Sequence, residues 1–171
     1  MDFQKICIQC TREKPNRDGI CPFCGFDPDQ YKQTSFVLPP FTILNGKYLV
    51  GRELGAGGFG ITYAALDMRL GRKVAIKEFF MRGGMQRNTS VSTEVNYALD
   101  DSDYSMIVKT SMEKFEEEAR ILARLGKLPG IVDIYDIFNE NNTAYIVLEY
   151  LDGFTLQKYV EREAAQKAEH C

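Results

Sequence analysis

The chain contains no tryptophan, only one histidine and no long apolar run. Because no stretch approaches the roughly 20 apolar residues that cross a bilayer, we expect no membrane segment. Residues 1–5 lack the apolar core of a secretory leader, so the sequence predicts a cytoplasmic protein. A net charge of −3 also lacks the basic excess that is typical of nucleic-acid or anionic-membrane binding. We therefore expect neither of these partners.

The composition is that of a soluble globular protein, with 44% apolar and 26% charged residues. A length of 171 residues accommodates a small module and one domain of ordinary size. Between them, residues 29–41 are largely polar and end near a proline pair, Pro39-Pro40, which is typical of a linker. We place the small module at 1–28, the linker at 29–41 and the larger domain at 42–171.

The small module is marked by two Cys-x-x-Cys pairs separated by ten residues, Cys7 with Cys10 and Cys21 with Cys24. Two such pairs supply four thiolates for a tetrahedral zinc ion, and Gly25 suits the tight turn after the second pair. Two disulfides or a redox pair are the alternatives. Disulfides are rare in cytoplasmic proteins, and a redox pair leaves the second pair unexplained. The pattern favours a structural zinc ribbon that is too poor in apolar residues to fold without its metal.

The larger domain has a glycine-rich stretch in which Gly55, Gly57 and Gly60 form a GxGxxG pattern. This pattern alone is weak evidence for a phosphate-binding loop. A dinucleotide-binding fold requires a helix directly after the last glycine. Here residues 61–64 are rich in β-branched and aromatic types, and residues 48–50 are also typical of a strand. The glycines are therefore predicted to lie at the tip of a β-hairpin.

A lysine follows on the next predicted strand, in the order Val74-Ala75-Ile76-Lys77. Because side chains alternate along a strand, Lys77 shares a face with Ala75. A small residue beside a lysine suits a flat ring lying on the strand, with the ammonium group reaching the phosphates of the ligand. The alternative is an ordinary strand lysine that extends into water. The glycine loop upstream favours the nucleotide interpretation.

Together, the glycine loop and the Val-Ala-Ile-Lys strand resemble the N-terminal lobe of a bacterial, eukaryotic-type serine/threonine protein kinase, over roughly residues 42–160. The resemblance implies an α+β fold, with an antiparallel five-stranded sheet and one main helix. In the chain, this lobe follows the small N-terminal zinc ribbon. The resemblance also implies ATP as a ligand, accompanied by magnesium in a full-length parent, and a protein substrate that the sequence does not identify. The nucleotide-binding positions that it implies are Leu54, Gly55, Ala56, Gly57, Gly58, Phe59, Gly60, Thr62, Ala75, Lys77, Leu148, Glu149, Tyr150 and Leu151. Thr62 replaces the usual valine of the family, a mild change in the adenine site.

A helix is predicted from Ser111 to about Leu125, with Thr110 and Glu113 as its capping box. Its apolar stripe consists of Phe115, Ala119, Ile121, Leu122 and Leu125. Upstream, residues 81–110 show only some strand-like alternation at 91–97, which allows a small extra hairpin.

Glu118 points along the apolar stripe of this helix, where a carboxylate needs a partner. The family resemblance pairs it with Lys77, so Lys77 and Glu118 are the candidate catalytic residues. The alternative is a solvated glutamate at the edge of the stripe.

Residues 131–138 alternate cleanly and predict a strand, and 139–142 predict a turn. Residues 144–151 are expected to form the returning strand of this hairpin. By resemblance, Leu148 controls access behind the adenine site, and residues 149–151 form the hinge that hydrogen-bonds adenine. A further helix is expected to begin at Thr155.

The resemblance also implies two motifs, His-Arg-Asp and Asp-Phe-Gly, that supply the catalytic aspartate and a magnesium ligand. Neither motif occurs in the sequence. We therefore expect the ATP-binding N-terminal portion of a kinase that transfers phosphoryl groups to Ser or Thr, inactive on its own, with apolar surface exposed where a C-terminal lobe would pack. The alternatives are a short, non-catalytic zinc-ribbon and pseudokinase-like binding module, or a C-terminal lobe supplied by a second polypeptide. Whether the chain is itself an enzyme is left open.

Overall fold

The computed structural model describes residues 2–97, 102–126, 128–153 and 159–160. Most of the helix expected from Thr155 lies outside these residues. The regular elements are β1 (Ile43–Leu44), β2 (Tyr48–Ala56), β3 (Gly60–Asp67), β4 (Arg72–Phe79), β5 (Met85–Gln86), β6 (Asn96–Tyr97), α1 (Ser102–Leu125), β7 (Ile134–Glu140) and β8 (Thr143–Glu149). Two short 3-10 helices, Phe3–Lys5 and Pro28–Gln30, lie in the N-terminal part. Among the described residues, no helix has both the length and the apolar character that a membrane span needs.

The main sheet is antiparallel and has six strands, in the order β1-β2-β3-β4-β8-β7. The expectation of five strands was therefore wrong by one edge strand, β1. A tight turn folds β1 back onto β2, with Asn45 at φ 48° and Gly46 at φ 61°. Residues 45–47 connect Leu44 to its partner Tyr48, and Asn-Gly is a dipeptide typical of hairpin turns with positive φ. The dipeptide signalled this strand in the sequence.

The register of the central strands gives the sheet two distinct faces. On one face, Lys77 of β4 lies between Thr62 of β3 and Ile146 of β8. On the same face, Ala75 lies between Ala64 and Leu148. The opposite face carries the other alternating residues of β4, including the fully buried Ile76. Lys77 and Ala75 thus lie on the face of β4 opposite to Ile76.

Helix α1 packs against β7 and β8 and begins at Ser102, well before the expected start at Ser111. The predicted capping box was wrong, because Thr110 lies inside the helix. The upstream extension carries Val108, which is fully buried in the main core. Because packing of Val108 in the core stabilises the first turns of the helix, the helix begins before Thr110 in spite of the capping sequence there.

The apolar stripe of α1 is buried only in its middle. Phe115 and Ala119 pack in the main core, as predicted. Three further members of the stripe are exposed, namely Ile121 at 49%, Leu122 at 37% and Leu125 at 49%. The second half of the predicted stripe thus presents apolar surface instead of packing in the core.

The core face of the sheet is covered by two segments that the sequence left as linker or uncertain loop. Val37 and Leu38 of the predicted linker are fully buried in the main core. Phe36 stacks on Phe80, with the ring centroids 5.4 Å apart. Strands β5 and β6 pair as a small antiparallel hairpin. The end of the 29–41 segment therefore packs with the lobe, whereas the domain boundaries themselves stay predictions.

A buried ion pair holds the β5–β6 hairpin to the sheet. Glu78 of β4 and Arg87 are paired, and both side chains are 0% exposed. Glu78 also accepts hydrogen bonds from the Tyr63 hydroxyl (2.7 Å) and the Tyr145 hydroxyl (2.8 Å). Arg87 donates to the backbone carbonyls of Phe36 (3.0 Å) and of Thr93 (2.7 Å). One carboxylate thereby connects three strands, the hairpin and the segment before β1.

Burial, reinforced by the charge of Glu78, raises the pKa of Tyr63 and of Tyr145, so both hydroxyls remain donors. Burial alone would lower the pKa of Arg87, but its hydrogen bonds to Glu78 raise it above the usual value. The sequence contained a signal for this network that was missed. Glu78 shares the core face of β4 with Ile76, where an acidic residue requires a buried partner.

Candidate functional site

The glycine-rich stretch forms the tip of the hairpin between β2 and β3, as predicted, and no helix follows it. The Gly57 amide donates to the Gly60 carbonyl across the turn, at 2.8 Å. Behind the tip, the Arg82 amide donates to the Gly58 carbonyl (3.0 Å) and the Phe80 amide to the Phe59 carbonyl (3.4 Å). The outer side of the hairpin is thus bonded to the segment that follows β4, which leaves the inner side facing Lys77.

The inner side of this hairpin and strand β4 border an open cavity of about 490 Å³. This volume is within the range of about 300–1,000 Å³ that is typical of small-molecule sites. The lining consists of Leu54, Gly55, Gly57, Phe59, Gly60, Thr62 and Lys77. All seven are among the predicted nucleotide-binding positions. Of the remaining loop positions, Gly58 and Ala56 lie outside the lining.

Gly60 is held at the base of the hairpin by close packing of the backbone. A Cβ atom at this position would lie 2.8 Å from the Glu78 carbonyl oxygen, so no larger residue fits without a shift of the hairpin or β4. At Gly58, by contrast, a Cβ atom would meet nothing within 4 Å. Only one of these two glycines is therefore fixed by the close approach of β4.

Two of the predicted adenine positions, Ala75 and Leu148, lie on the same face as Lys77, next to the cavity rather than in its lining. Ala75, 8% exposed, pairs in register with Leu148 of β8. The Glu149 amide donates to the Asp133 carbonyl at 2.9 Å. The Lys73 ammonium lies 3.5 Å from the centroid of the Tyr150 ring, and Leu151 is exposed. The structure brings these residues to one edge of the site, while their contacts with a base stay predictions.

Lys77 and Glu118 line one cleft of about 350 Å³ between the sheet and α1, together with Phe115. No ion pair within 4.0 Å joins these two side chains, both of which are exposed. The Lys77 ammonium lies 5.4 Å from the centroid of the Phe115 ring. The residues are thus on the same side of the sheet, but the pair expected from the family resemblance is open in this structure.

A separate candidate metal site lies in the N-terminal module. The sulfur atoms of Cys7 and Cys24 are 3.7 Å apart, and those of Cys10 and Cys21 are 3.8 Å apart. All four sulfurs lie within 4.8 Å of one another. A tetrahedral zinc ion with Zn–S bonds of about 2.3 Å places its sulfurs about 3.8 Å apart. The four cysteines are free thiols, so the cluster could hold a metal ion and contains no disulfide.

The two Cys-x-x-Cys pairs adopt matching turns. The Thr11 amide donates to the Cys7 carbonyl (2.8 Å), and the Gly25 amide donates to the Cys21 carbonyl (2.9 Å). Thr11 and Gly25 both have positive φ, at 61° and 70°. Burial acts to raise the pKa of the Cys21 thiol, but hydrogen bonds from the Phe23 and Cys24 amides lower it to about 7. At Cys21 these amides favour the thiolate, which is the form that binds metals. At Cys10 and Cys24, by contrast, burial raises the pKa of the thiol.

Comparison with known proteins gives a consistent set of relatives, although no protein-family model matches the chain. It is 31% identical over 120 residues to a probable serine/threonine-protein kinase of Clostridium acetobutylicum, covering 70% of this chain and 15% of that protein. It is 32% identical over 117 residues to the serine/threonine-protein kinase PrkC of Bacillus subtilis, covering 68% of this chain and 14% of PrkC. Serine/threonine-protein kinase B of Synechocystis is 28% identical over 155 residues, which are 90% of this chain and 21% of that kinase.

A solved structure, the apo form of PpkA-294, is similar with a TM-score of 0.65 and 31% identity, covering 72% of this chain and 42% of that one. The chain spans about a fifth or less of the length of the three curated relatives. Both kinds of similarity agree with the sheet, the helix and the glycine hairpin described above. The chain is thus related to the bacterial serine/threonine protein kinases and has the fold of their amino-terminal lobe.

Proposed function

We propose that this chain binds ATP beneath the glycine hairpin, as the nucleotide-binding portion of a serine/threonine protein kinase. The observation that carries the proposal is that the hairpin, Thr62 and Lys77 line one cavity together. Backbone amides of a glycine-rich loop and a lysine ammonium are the donors that kinases direct at ATP phosphates. In the whole protein, the reaction would be transfer of the γ-phosphoryl group of ATP to a Ser or Thr hydroxyl of a protein substrate.

Each group at the site has a role in this proposal. Lys77 orients the α- and β-phosphates, and the hairpin covers them. The base lies on Ala75 beside Leu148, with the backbone of residues 149–151 as its hydrogen-bonding edge. Glu118 forms its ion pair with Lys77 when α1 moves toward the sheet, and this pairing fixes the ammonium group. Magnesium would neutralise the phosphates during transfer, but no residue of this chain is assigned to it.

The four-cysteine cluster is proposed to hold a structural zinc ion. What supports this is the sulfur geometry, with 3.7 and 3.8 Å between the closest pairs. Four thiolates complete a tetrahedral zinc site and leave no open position for a substrate. The zinc therefore has a structural role, separate from the phosphoryl transfer.

The first test of nucleotide binding is the Lys77→Met substitution. A hydrogen bond to a charged group contributes about 1.5–3 kcal/mol, so the affinity for ATP is expected to fall by about 10- to 100-fold. Isothermal titration calorimetry with magnesium and ATP measures the change. Lys109→Met, which removes an equal charge at an exposed position of α1, is the matched control. Equal affinities of the two variants would refute the role of Lys77.

The second test compares two alanine substitutions in the hairpin. Gly60→Ala places a Cβ atom 2.8 Å from the Glu78 carbonyl oxygen. Overpacking of this kind costs about 1–3 kcal/mol, so we expect the displaced hairpin to bind ATP roughly tenfold less tightly. Gly58→Ala meets no atom within 4 Å and is expected to retain the affinity. The same titration distinguishes them, and equal losses in both variants would contradict the assigned geometry.

A further inference from the structure

The cysteine module lies against strands β2 and β3 of the sheet, which lead into the glycine hairpin. Ile6 of the module, 5% exposed, forms a small apolar cluster with Leu49 of β2 and Leu66 of β3. Phe3 and Met68 pack around this cluster. Because Leu49 belongs to the strand that enters the hairpin, the module contacts the same strand that carries Leu54 and Gly55 of the nucleotide cavity.

The contact continues at an irregularity of β2. The pairing of β2 with β3 shifts register between Val50 and Glu53, and again between Glu53 and Gly55. A bulge of this kind leaves backbone groups without their ladder partners. The Arg52 amide donates instead to the Ile8 carbonyl of the module, at 2.8 Å. The Glu53 amide donates to the Tyr31 hydroxyl, at 3.5 Å.

Gly51 makes this approach feasible. A Cβ atom at this position would lie 2.3 Å from the Ile8 carbonyl oxygen and 2.9 Å from the Ala64 carbonyl oxygen. The backbone of the module therefore lies directly on the backbone of β2, without an intervening side chain. Such a contact transmits the position of the module to the strand more directly than a contact between flexible side chains.

The two residues that accept hydrogen bonds from the bulge, Ile8 and Tyr31, are each linked to a cysteine of the cluster. Ile8 directly follows Cys7 in the chain. Tyr31 packs on Phe26, with the ring centroids 6.1 Å apart, and the Phe26 carbonyl accepts a hydrogen bond from the Cys21 amide at 2.8 Å. The turn after Cys7 is thus connected to the Arg52 amide, and the turn after Cys21 is connected to the Glu53 amide through Phe26 and Tyr31.

We propose that the metal-loaded cysteine module braces the bulge of β2 and thereby positions the glycine hairpin, so that metal loading of the four cysteines controls ATP binding. The proposal rests on the proposed nucleotide site. Without metal, the turn after Cys7 no longer holds the Ile8 carbonyl in place, and the Arg52 amide loses its partner. The strand leading into the hairpin then becomes mobile. Because coupling between two binding sites is reciprocal, ATP must raise the zinc affinity by the factor by which zinc raises the ATP affinity.

Hydrogen exchange of the whole chain tests the brace without any nucleotide. Zinc-loaded protein is compared with protein that has been stripped by a chelator and returned to chelator-free buffer. We expect amides at 49–60 to exchange about tenfold or more faster after zinc removal, since protection reports local opening. Amides of β4, β7 and β8 keep their rates. Unchanged exchange at 49–60, or faster exchange throughout the sheet, overturns the proposal.

A variant tests the contact while zinc remains bound. Ile6→Ser removes the apolar side chain from the cluster with Leu49 and Leu66, without changing a cysteine. We expect one zinc per chain and faster exchange at 49–60. Ile20→Ser alters a residue of the same module that is 63% exposed, and it should leave both quantities unchanged. Exchange at 49–60 that is equal in the two variants contradicts the brace.

Titration of ATP into the zinc-loaded and zinc-free chains completes the test. We expect about tenfold weaker ATP binding by the zinc-free chain, within the usual range of allosteric coupling. Equal ATP affinity in the two states overturns the control of nucleotide binding. If the zinc-loaded chain binds no ATP, the proposed nucleotide site fails, while the exchange experiment still decides whether the module braces the hairpin.

Discussion

Substitution of Cys21 by serine is expected to unfold the N-terminal module. The buried residues of this part are few, and the sulfurs of the four cysteines converge within 4.8 Å. In small structural sites of this kind, zinc supplies apparent binding free energy on the order of 10 kcal/mol, which is also folding free energy. Loss of one of four thiolates removes much of that stabilisation. Metal analysis measures the zinc content, and the dispersion of the amide chemical shifts of residues 2–26 in an NMR spectrum shows whether the module is folded.

The matched control for this prediction is Cys171→Ser. Cys171 belongs to neither Cys-x-x-Cys pair, so its substitution should leave one zinc per chain and an unchanged spectrum. A Cys21→Ser protein with a full zinc complement and the same amide spectrum would contradict a structural metal site. So would a purified wild-type chain that contains no metal yet shows an ordered module.

Substitution of Arg87 by methionine is expected to lower the free energy of unfolding by about 3–5 kcal/mol. The Arg87 and Glu78 side chains are both 0% exposed, so the substitution leaves a carboxylate in the core without its cation. The hydroxyls of Tyr63 and Tyr145 still donate to Glu78, but they carry no charge that could offset its desolvation. Urea unfolding followed by circular dichroism measures the loss.

The double variant Glu78→Gln, Arg87→Met separates the ion pair from the general effect of a core substitution. It buries no charge, so its loss should be smaller than the sum of the two single losses. Arg82→Met is the surface control. Arg82 is exposed and lies 4.9 Å from the Phe36 ring centroid, a contact that contributes about 0.5–1 kcal/mol. An Arg87→Met protein that is no less stable than Arg82→Met would refute the importance of the buried pair.

The sequence correctly predicted those parts of the fold in which neighbouring residues alone determine the secondary structure. The β-branched and aromatic residues at 61–64 favoured a strand over a helix after the glycine loop, and the structure has the β2–β3 hairpin there. Alternation of side chains correctly placed Lys77 on the face of Ala75. The strands β7 and β8 appear close to their predicted positions because an Asn-Asn turn with positive φ separates an alternating run from a short apolar run that is buried on both faces.

The parts that the sequence did not predict depend on contacts between distant residues. Nothing local to Thr110 shows that Val108, two residues earlier, is buried in the core, so the helix start was misplaced. The partner of Glu78 is Arg87, inside a stretch without periodicity, and only the acidic residue on a core face indicated that a partner was needed. The pairing of the Arg52 amide with Ile8 connects two segments that the sequence assigned to separate units.

The candidate site was predicted in the same uneven way. The seven residues that line the cavity were all predicted from the glycine loop, the lysine and the family resemblance. The ion pair of Lys77 with Glu118 was also expected, and the two residues line one cleft without pairing. The distance between them depends on where α1 packs, which neither residue determines.

Residue-by-residue NMR titration of the chain with ATP tests the central claim most directly. A second cavity of about 400 Å³, lined in part by Phe36 and Arg82, also offers the exposed Arg82 guanidinium to an anion, so the position of binding is informative. We predict amide shifts that saturate together at residues 55–60, at Lys77 and at 149–151. Shifts confined to residues 82–87, or no saturable shifts, would contradict the account.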